Sequence, residues 1–270
     1  MSSNFQYAGG SWIGRKHRIE GRNNQDSWTI VETDGLMIGV IADGCSTTAH
    51  SELGSRLGAN IVAESVRFAY GSGQRPINWQ RLQLHILAQL DSIVTSMGGD
   101  YLQTVQDHFF FTFVGCIIDR TQAIFFAFGD GSIVINGVVH ALGPFPNNAP
   151  PYLGYCLLGD AVNMDPELLV LRPVIKFPDV SELNSFMLAS DGIDDLIISR
   201  DLLRPGLKVP VGPIDQFWTD DICFSNKIEV TRRLKLISRD FPEKNPEFGH
   251  LSDDTTLIVG RRRSPTIETE

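Results

Sequence analysis

The chain has 270 residues, 42% of them hydrophobic, a formal net charge of −9 and a mean hydropathy of −0.04. This is the composition of a globular chain long enough for one large domain, and its acidity argues against a general nucleic-acid binder. Cys45, Cys116, Cys156 and Cys223 form no Cys-x-x-Cys pair and no secretory signal is present, so they read as reduced thiols of a cytoplasmic protein.

Tyr7 to Thr33 alternates loosely and predicts two strands flanking a polar loop, Arg15 to Asp26, which holds Arg15, Lys16, His17, Arg18 and Arg22. Leu36 to Ala42 is an apolar strand that stops at Asp43-Gly44, a turn signal. Ala49 to Tyr70 reads as a helix with Leu53, Leu57, Ile61 and Phe68 near helical spacing, and Gly54, Gly58 and Ala59 would let it approach a sheet closely. Asn78 to Met97 reads as a second helix, with Leu82, Ile86, Leu90, Val94 and Met97 on one side.

The apolar stretch from His108 to Asp130 is broken by Asp119-Arg120-Thr121-Gln122. Two strands with a short turn, Phe109–Ile118 and Ala123–Phe128, fit it better than a membrane span. Ser132 to His140 continues with a hairpin turn at Asn136-Gly137. Leu142 to Tyr155, without a period, reads as a surface loop. Lys227 to Arg239 reads as a basic helix with a solvated face, and Arg261 onward as a mobile tail. A helical pair followed by a hairpin is an α+β ordering, not an alternating β-α-β one.

An acid at the mouth of an apolar strand is costly unless a cation, a satisfying turn or a metal meets it. Here the arrangement recurs. Asp43-Gly44, Gly129-Asp130-Gly131 and Ser190-Asp191-Gly192 each end an apolar run, and Ser252-Asp253-Asp254 precedes one. Four acid-bearing strand ends suggest one electronegative pocket, of the oxygen-rich kind that suits Mg²⁺ or Mn²⁺. Asp195 lies one helical turn beyond Asp191, so both can face one side.

With Asn24-Gln25-Asp26, these motifs come in the order found in the metal-dependent Ser/Thr protein phosphatases of type 2C, the PPM family, which the chain resembles from about residue 9 to 260. The opening Gly14-x-x-His17 followed by Gln25-Asp26 looks most like a bacterial branch. The resemblance implies a four-layer α-β-β-α sandwich of two antiparallel sheets flanked by helices, one domain over residues 1–262, and a variable flap over about 200–249. It implies two Mn²⁺ or Mg²⁺ ions held by Asp43, the Gly44 carbonyl, Asp191 and Asp253, and a third, weaker site with Asp130 and Asp195. Asp26 and Gln25, the latter in place of the usual Glu, would hold metal-bound water. Asp254 stands where the family has Asn.

An Arg before the Asn-Gln-Asp element would grip phosphate bidentately; Arg22 is nearest, with Arg18 and His17 as substitutes. Cys45 stands where many eukaryotic relatives carry a proposed general acid, His, so water or another residue would protonate the leaving group. The implied reaction is hydrolysis of phosphoserine or phosphothreonine in a protein, a kinase or its target, by a metal-activated water. Two alternatives are a domain that binds phosphoprotein without turnover and a hydrolase of small phosphomonoesters.

Overall fold

Strands that are apolar on both faces must be covered on both faces, and that requirement sets the layering of this chain. The computed structural model describes residues 4–263 apart from 34, 72, 74, 75, 147, 148 and 242–246. Among the described residues the chain runs β1 (Phe5–Trp12), α1 (Arg15–Glu20), β2 (Asp26–Thr33), β3 (Leu36–Gly44), α2 (Ser51–Gly71), α3 (Trp79–Met97) and α4 (Tyr101–His108). It continues with β4 (Phe111–Ile118), β5 (Ala123–Phe128), β6 (Ser132–Ile135), β7 (Val138–Ala141), α5 (Tyr155–Leu158), β8 (Arg172–Phe177) and β9 (Ser185–Ala189). It closes with α6 (Ile193–Ile198), α7 (Gln216–Thr219), α8 (Ile222–Ser225), α9 (Glu229–Ser238) and β10 (Thr255–Arg262).

The strands form two five-stranded antiparallel sheets, ordered β1-β10-β9-β6-β7 and β2-β3-β4-β5-β8. Alternate residues of each inner strand feed different cores. In β3, Ile38, Val40 and Ala42 pack under α2 and α3, whereas Met37 and Ile41 point between the sheets. In β9, Phe186 and Leu188 join the core between the sheets, and Met187 and Ala189 join a third core beneath α6 to α9. The result is the expected α-β-β-α sandwich. The hairpin at Asn136-Gly137 is also as expected, both residues taking positive φ, 50° and 86°.

Five local expectations need correction. Residues 15–20 form helix α1 instead of loop; Gly14 starts it and Gly21 ends it with φ 69°. The buried face of α2 is Gly54, Ser55, Gly58, Ala59, Val62, Ala63 and Val66, while Leu53 and Phe68 point outward. Small residues win because the helix lies directly on the sheet: a Cβ at Gly58 would come within 2.3 Å of the Phe111 ring. Helix α9 is not merely solvated. Val230, Leu234 and Ile237 are core residues, and Arg233 is buried between Glu229 and Asp220. The 142–155 segment is not simply a surface loop, since Leu153 is fully buried and Tyr152 and Tyr155 border the main cleft. The expected tail starts too early: Arg261 and Arg262 end β10, paired with Gln6 and Phe5, and residues 264–270 lie outside the described residues. Among the described residues no helix is long and apolar enough to cross a membrane.

Candidate active site

The acids converge because the sheets deliver them to the same end of the sandwich. Asp26 and Asp43 are opposite partners in the antiparallel β2–β3 ladder, so their side chains share a face. Asp191 follows β9 and Asp253 precedes β10, and these strands are hydrogen-bonded neighbours in the other sheet. Ser190 ties the two sheets together: its Oγ donates to Asp26 Oδ2 at 2.7 Å and accepts from the Thr256 N–H at 3.0 Å. Asp130 sits between Gly129 and Gly131, whose φ values of 85° and 121° suit glycine, and this sharp turn aims it at the same place.

Asp43, Gly44, Asp130, Asp191, Asp253 and Asp254 line one cleft of about 790 Å³, joined by Asp107 from α4. Against these acids the described lining residues offer one arginine, Arg22, and one histidine, His17. The carboxylates therefore raise one another's affinity for protons. Burial first, then Asp26, Asp191, Asp130 and Asp253, hold Asp43 well above the ordinary carboxylate range. Burial and then Asp254 do the same to Asp26. Asp191, in contact with Asp43, is pushed up to about 7 by burial and by Asp253 and Asp130. Burial raises Asp130, although a hydrogen bond from Thr112 opposes it.

This electrostatic frustration, together with the all-oxygen donor set, is the mark of a site made for hard cations. A buried, unpartnered Asp26 Oδ1 and Gln25 Oε1 point the same way. His17, Asp253 and Asp254 also offer ligand atoms within 4.8 Å of one another. The residues present thus fit divalent metal.

Other expected residues take different places. Asp195 does not border the cleft. Its Oδ2 accepts from the Ser252 N–H and Oγ, both at 2.6 Å, and so fixes the turn that carries Asp253. Gln25 is buried; its N–H donates to Asp254 Oδ2 at 2.6 Å, and its carbonyl accepts from Gly44 N–H at 3.2 Å. Asp254 also accepts from Gly14 N–H at 2.7 Å, so it anchors the start of α1 and the start of β2 together. His17, only 2% exposed, presses Nδ1 to 3.0 Å from Asp254 Oδ2, and neither ring nitrogen makes a well-aligned hydrogen bond. It borders the cleft as a buried side chain against Asp254, within ligand reach of Asp253. Arg22 is at the rim, with its Nη atoms donating to the carbonyls of Ser46 and, at 2.9 Å, Thr48. Arg18 is turned away toward the Ser238 carbonyl and Asp240.

Sequence reasoning missed helix α4, which contributes Gln103, Gln106 and Asp107 to the cleft. The signal was there: Asp100 followed by Gln103 is a helix-start pattern, and Asp100 Oδ1 accepts from Gln103 N–H at 2.8 Å. It also missed an aromatic wall of Phe110, Tyr152 and Tyr155, for which no periodic signal exists.

A four-layer sandwich whose two sheets pool carboxylates around one open cleft is an architecture that fits divalent cations. Residues 13–210 match the family model of protein phosphatase 2C, and the chain belongs to that family. The match stops short of Asp253 and Asp254, which the fold alone supplies to the cleft. Similar solved structures share the fold at low identity. A bacterial serine phosphatase is 14% identical with a TM-score of 0.52, over 97% of this chain and 99% of that one. The serine/threonine phosphatase Stp1 from Staphylococcus aureus is 12% identical with a TM-score of 0.50, over 98% and 96%. A C. elegans sex-determining protein reaches a TM-score of 0.56 at 14% identity, over 98% of this chain and 66% of that one. No curated protein matches the chain in sequence.

Proposed function

We propose that the chain is a single catalytic domain that hydrolyses phosphoserine and phosphothreonine in proteins, with Mn²⁺ or Mg²⁺ as cofactor. The observation that carries the reading is the gathering of Asp43, Asp130, Asp191 and Asp253 from both sheets around one open cleft, in a protein phosphatase 2C chain. Asp43, the Gly44 carbonyl, Asp191 and Asp253 would hold two cations, and Asp130 a third. Bound there, the ions supply Lewis acidity and water activation.

The chain's own residues do the rest. Asp26 and Gln25 stand behind the acids with acceptor oxygens to spare. Asp195 and Asp254 fix the turns that present Asp253. Arg22 would exchange its carbonyl partners for phosphoryl oxygens, which are stronger acceptors. Within the interval 200–249, helices α7 to α9 pack on the sheet, while the segment ahead of them exposes Leu202, Leu203, Leu207 and Val209, and substrate choice is assigned to that exposed segment. Phosphorylated kinases or their targets in the cytoplasm are the expected partners.

The test is phosphate release from phosphoserine and phosphothreonine peptides by the Mn²⁺-loaded chain, with loss in EDTA and return with added metal. The engagement of Arg22 by Ser46 and Thr48 favours a second reading, a domain that captures phosphoprotein without turnover. Calorimetric binding of phosphopeptide with no phosphate released would select it. Faster turnover of small phosphometabolites than of any phosphopeptide would count against both.

A further inference from the structure

His17 is the one histidine among the described residues lining the cleft, and it is buried without a use for either ring nitrogen. It is 2% exposed, and neither Nδ1 nor Nε2 makes an aligned hydrogen bond. Buried polar atoms of native proteins are nearly always paired, so this ring points to a partner that the polypeptide does not supply. The backbone fixes its position. Gly14 starts the helix α1 that carries it, and Gly14 N–H donates to Asp254 Oδ1 at 2.7 Å. Arg15 N–H donates to the Leu251 carbonyl at 2.9 Å, and Lys16 N–H to the Ser252 carbonyl at 3.0 Å. A Cβ at Gly14 would fall 2.3 Å from the Asp253 carbonyl carbon, so only glycine lets α1 lie this close to the Asp253-Asp254 turn.

The ring faces oxygen. Nδ1 lies 3.0 Å from Asp254 Oδ2, and His17, Asp253 and Asp254 each offer a ligand atom within 4.8 Å of the other two. A plain His–Asp ion pair would aim an N–H along the 3.0 Å line, and that alignment is missing. Two donors bound to one ion at about 2.1 Å, on neighbouring octahedral positions, stand about 3 Å apart, which is the separation here. Each Asp254 oxygen already accepts a backbone N–H, from Gly14 or Gln25, which fixes the carboxylate and leaves each oxygen a further lone pair. All three residues border the cleft, so an ion can reach them from solvent. Two carboxylates with a neutral imidazole match a divalent charge. Imidazole nitrogen suits first-row transition ions, whereas Mg²⁺ prefers oxygen and water.

We propose that His17, Asp253 and Asp254 form a separate site for a first-row transition-metal ion, bound through the His17 nitrogen. It goes beyond the phosphatase reading, which uses oxygen donors only; the two share Asp253, and no step of the hydrolysis runs through His17. The nitrogen sets the selectivity of this site. Zn²⁺ should bind there more tightly than Mn²⁺, and Mn²⁺ more tightly than Mg²⁺.

The test is a Zn²⁺ titration of the unaltered, ¹⁵N-histidine-labelled protein in saturating Mg²⁺, which fills the oxygen sites. Ring-nitrogen signals are followed by NMR and assigned through the backbone, so the reading does not depend on a variant's folding. One His17 nitrogen should shift on adding Zn²⁺ and stay unmoved by Mg²⁺. A His17 signal that Zn²⁺ leaves in place, or a shift confined to other histidines, would overturn the proposal. Calorimetry gives a second measurement. His17→Gln should lower Zn²⁺ affinity at least about 100-fold, the upper end of what partners one shell further out cost, and Mg²⁺ affinity less than about threefold. Equal losses for the two ions would mean that His17 only supports the fold and would also overturn the proposal. A His17 shift in a protein that releases no phosphate from any phosphopeptide would remove the phosphatase reading and keep this one; turnover without the shift would do the reverse.

Discussion

The two walls of the cleft are built by different means. The acid wall is held by ladders: Asp26 and Asp43 occupy paired positions of β2 and β3, and Asp191 and Asp253 flank the paired strands β9 and β10. The aromatic wall is held mainly by its own rings, on Phe110 and a segment without regular strands that single backbone bonds, such as Leu153 N–H to the Phe111 carbonyl, tie to β4. The difference follows from the forces involved. Carboxylates repel, so they stay close only if backbone hydrogen bonds resist their separation. Rings attract and bury one another, so they organise a loop without a ladder.

The acid wall offers the largest effects. Asp43→Asn and Asp191→Asn should each reduce phosphopeptide hydrolysis on the order of 10³-fold, measured as phosphate release. The metal-free variants should melt no lower than the unaltered protein, because each removes a buried like charge. A variant that loses its fold along with its activity would show that the acids serve stability instead.

Next comes the close packing that lets the acid turns meet. A Cβ at Gly192 would fall 2.2 Å from the Asp254 carbonyl oxygen, a backbone atom. Gly192→Ala should cost about 3 kcal/mol in urea denaturation. A change within 0.5 kcal/mol would mean that the turns are not locked together.

The pH dependence is smaller and has a definite sign. An aspartate whose folded pKa is raised holds its proton more tightly in the native state, so native stability falls as pH rises from the unfolded value to the folded one. For Asp191 that window runs from about 4 to about 7, and Asp43 and Asp26 act in the same direction. The metal-free melting temperature should therefore decline across this range, and saturating Mn²⁺ should flatten the decline. A metal-free curve that rises from pH 4 to 7 would contradict the clustering.

The smallest expected effect is at Asp254, whose two oxygens accept from Gly14, Gln25 and the flank of His17. Asp254→Asn keeps one oxygen but loses the charge-assisted pairing, and should cost about 1–2 kcal/mol of stability. Its effect on peptide turnover should be much smaller than that of Asp43→Asn, because Asp254 anchors backbone behind the acids.

Much of this was legible in the residues themselves. The doubly apolar strands, the Asn-Gly hairpin, the period of α3 and the acids at strand ends are short-range patterns, because side-chain direction repeats every two residues in a strand and every 3.6 in a helix. What tertiary structure alone decided is which of those acids share the cleft. Asp195 turns to Ser252, His17 backs onto Asp254, and Arg22 spans Ser46 and Thr48, each a contact between distant parts of the chain. It also decided that a loop without a period becomes a wall, since Tyr152 and Tyr155 meet Phe110 only in the folded chain. Local pattern fixes where a side chain points along its own element; the partner it meets depends on packing between distant segments, as with Gly14 and Asp254, 240 residues apart.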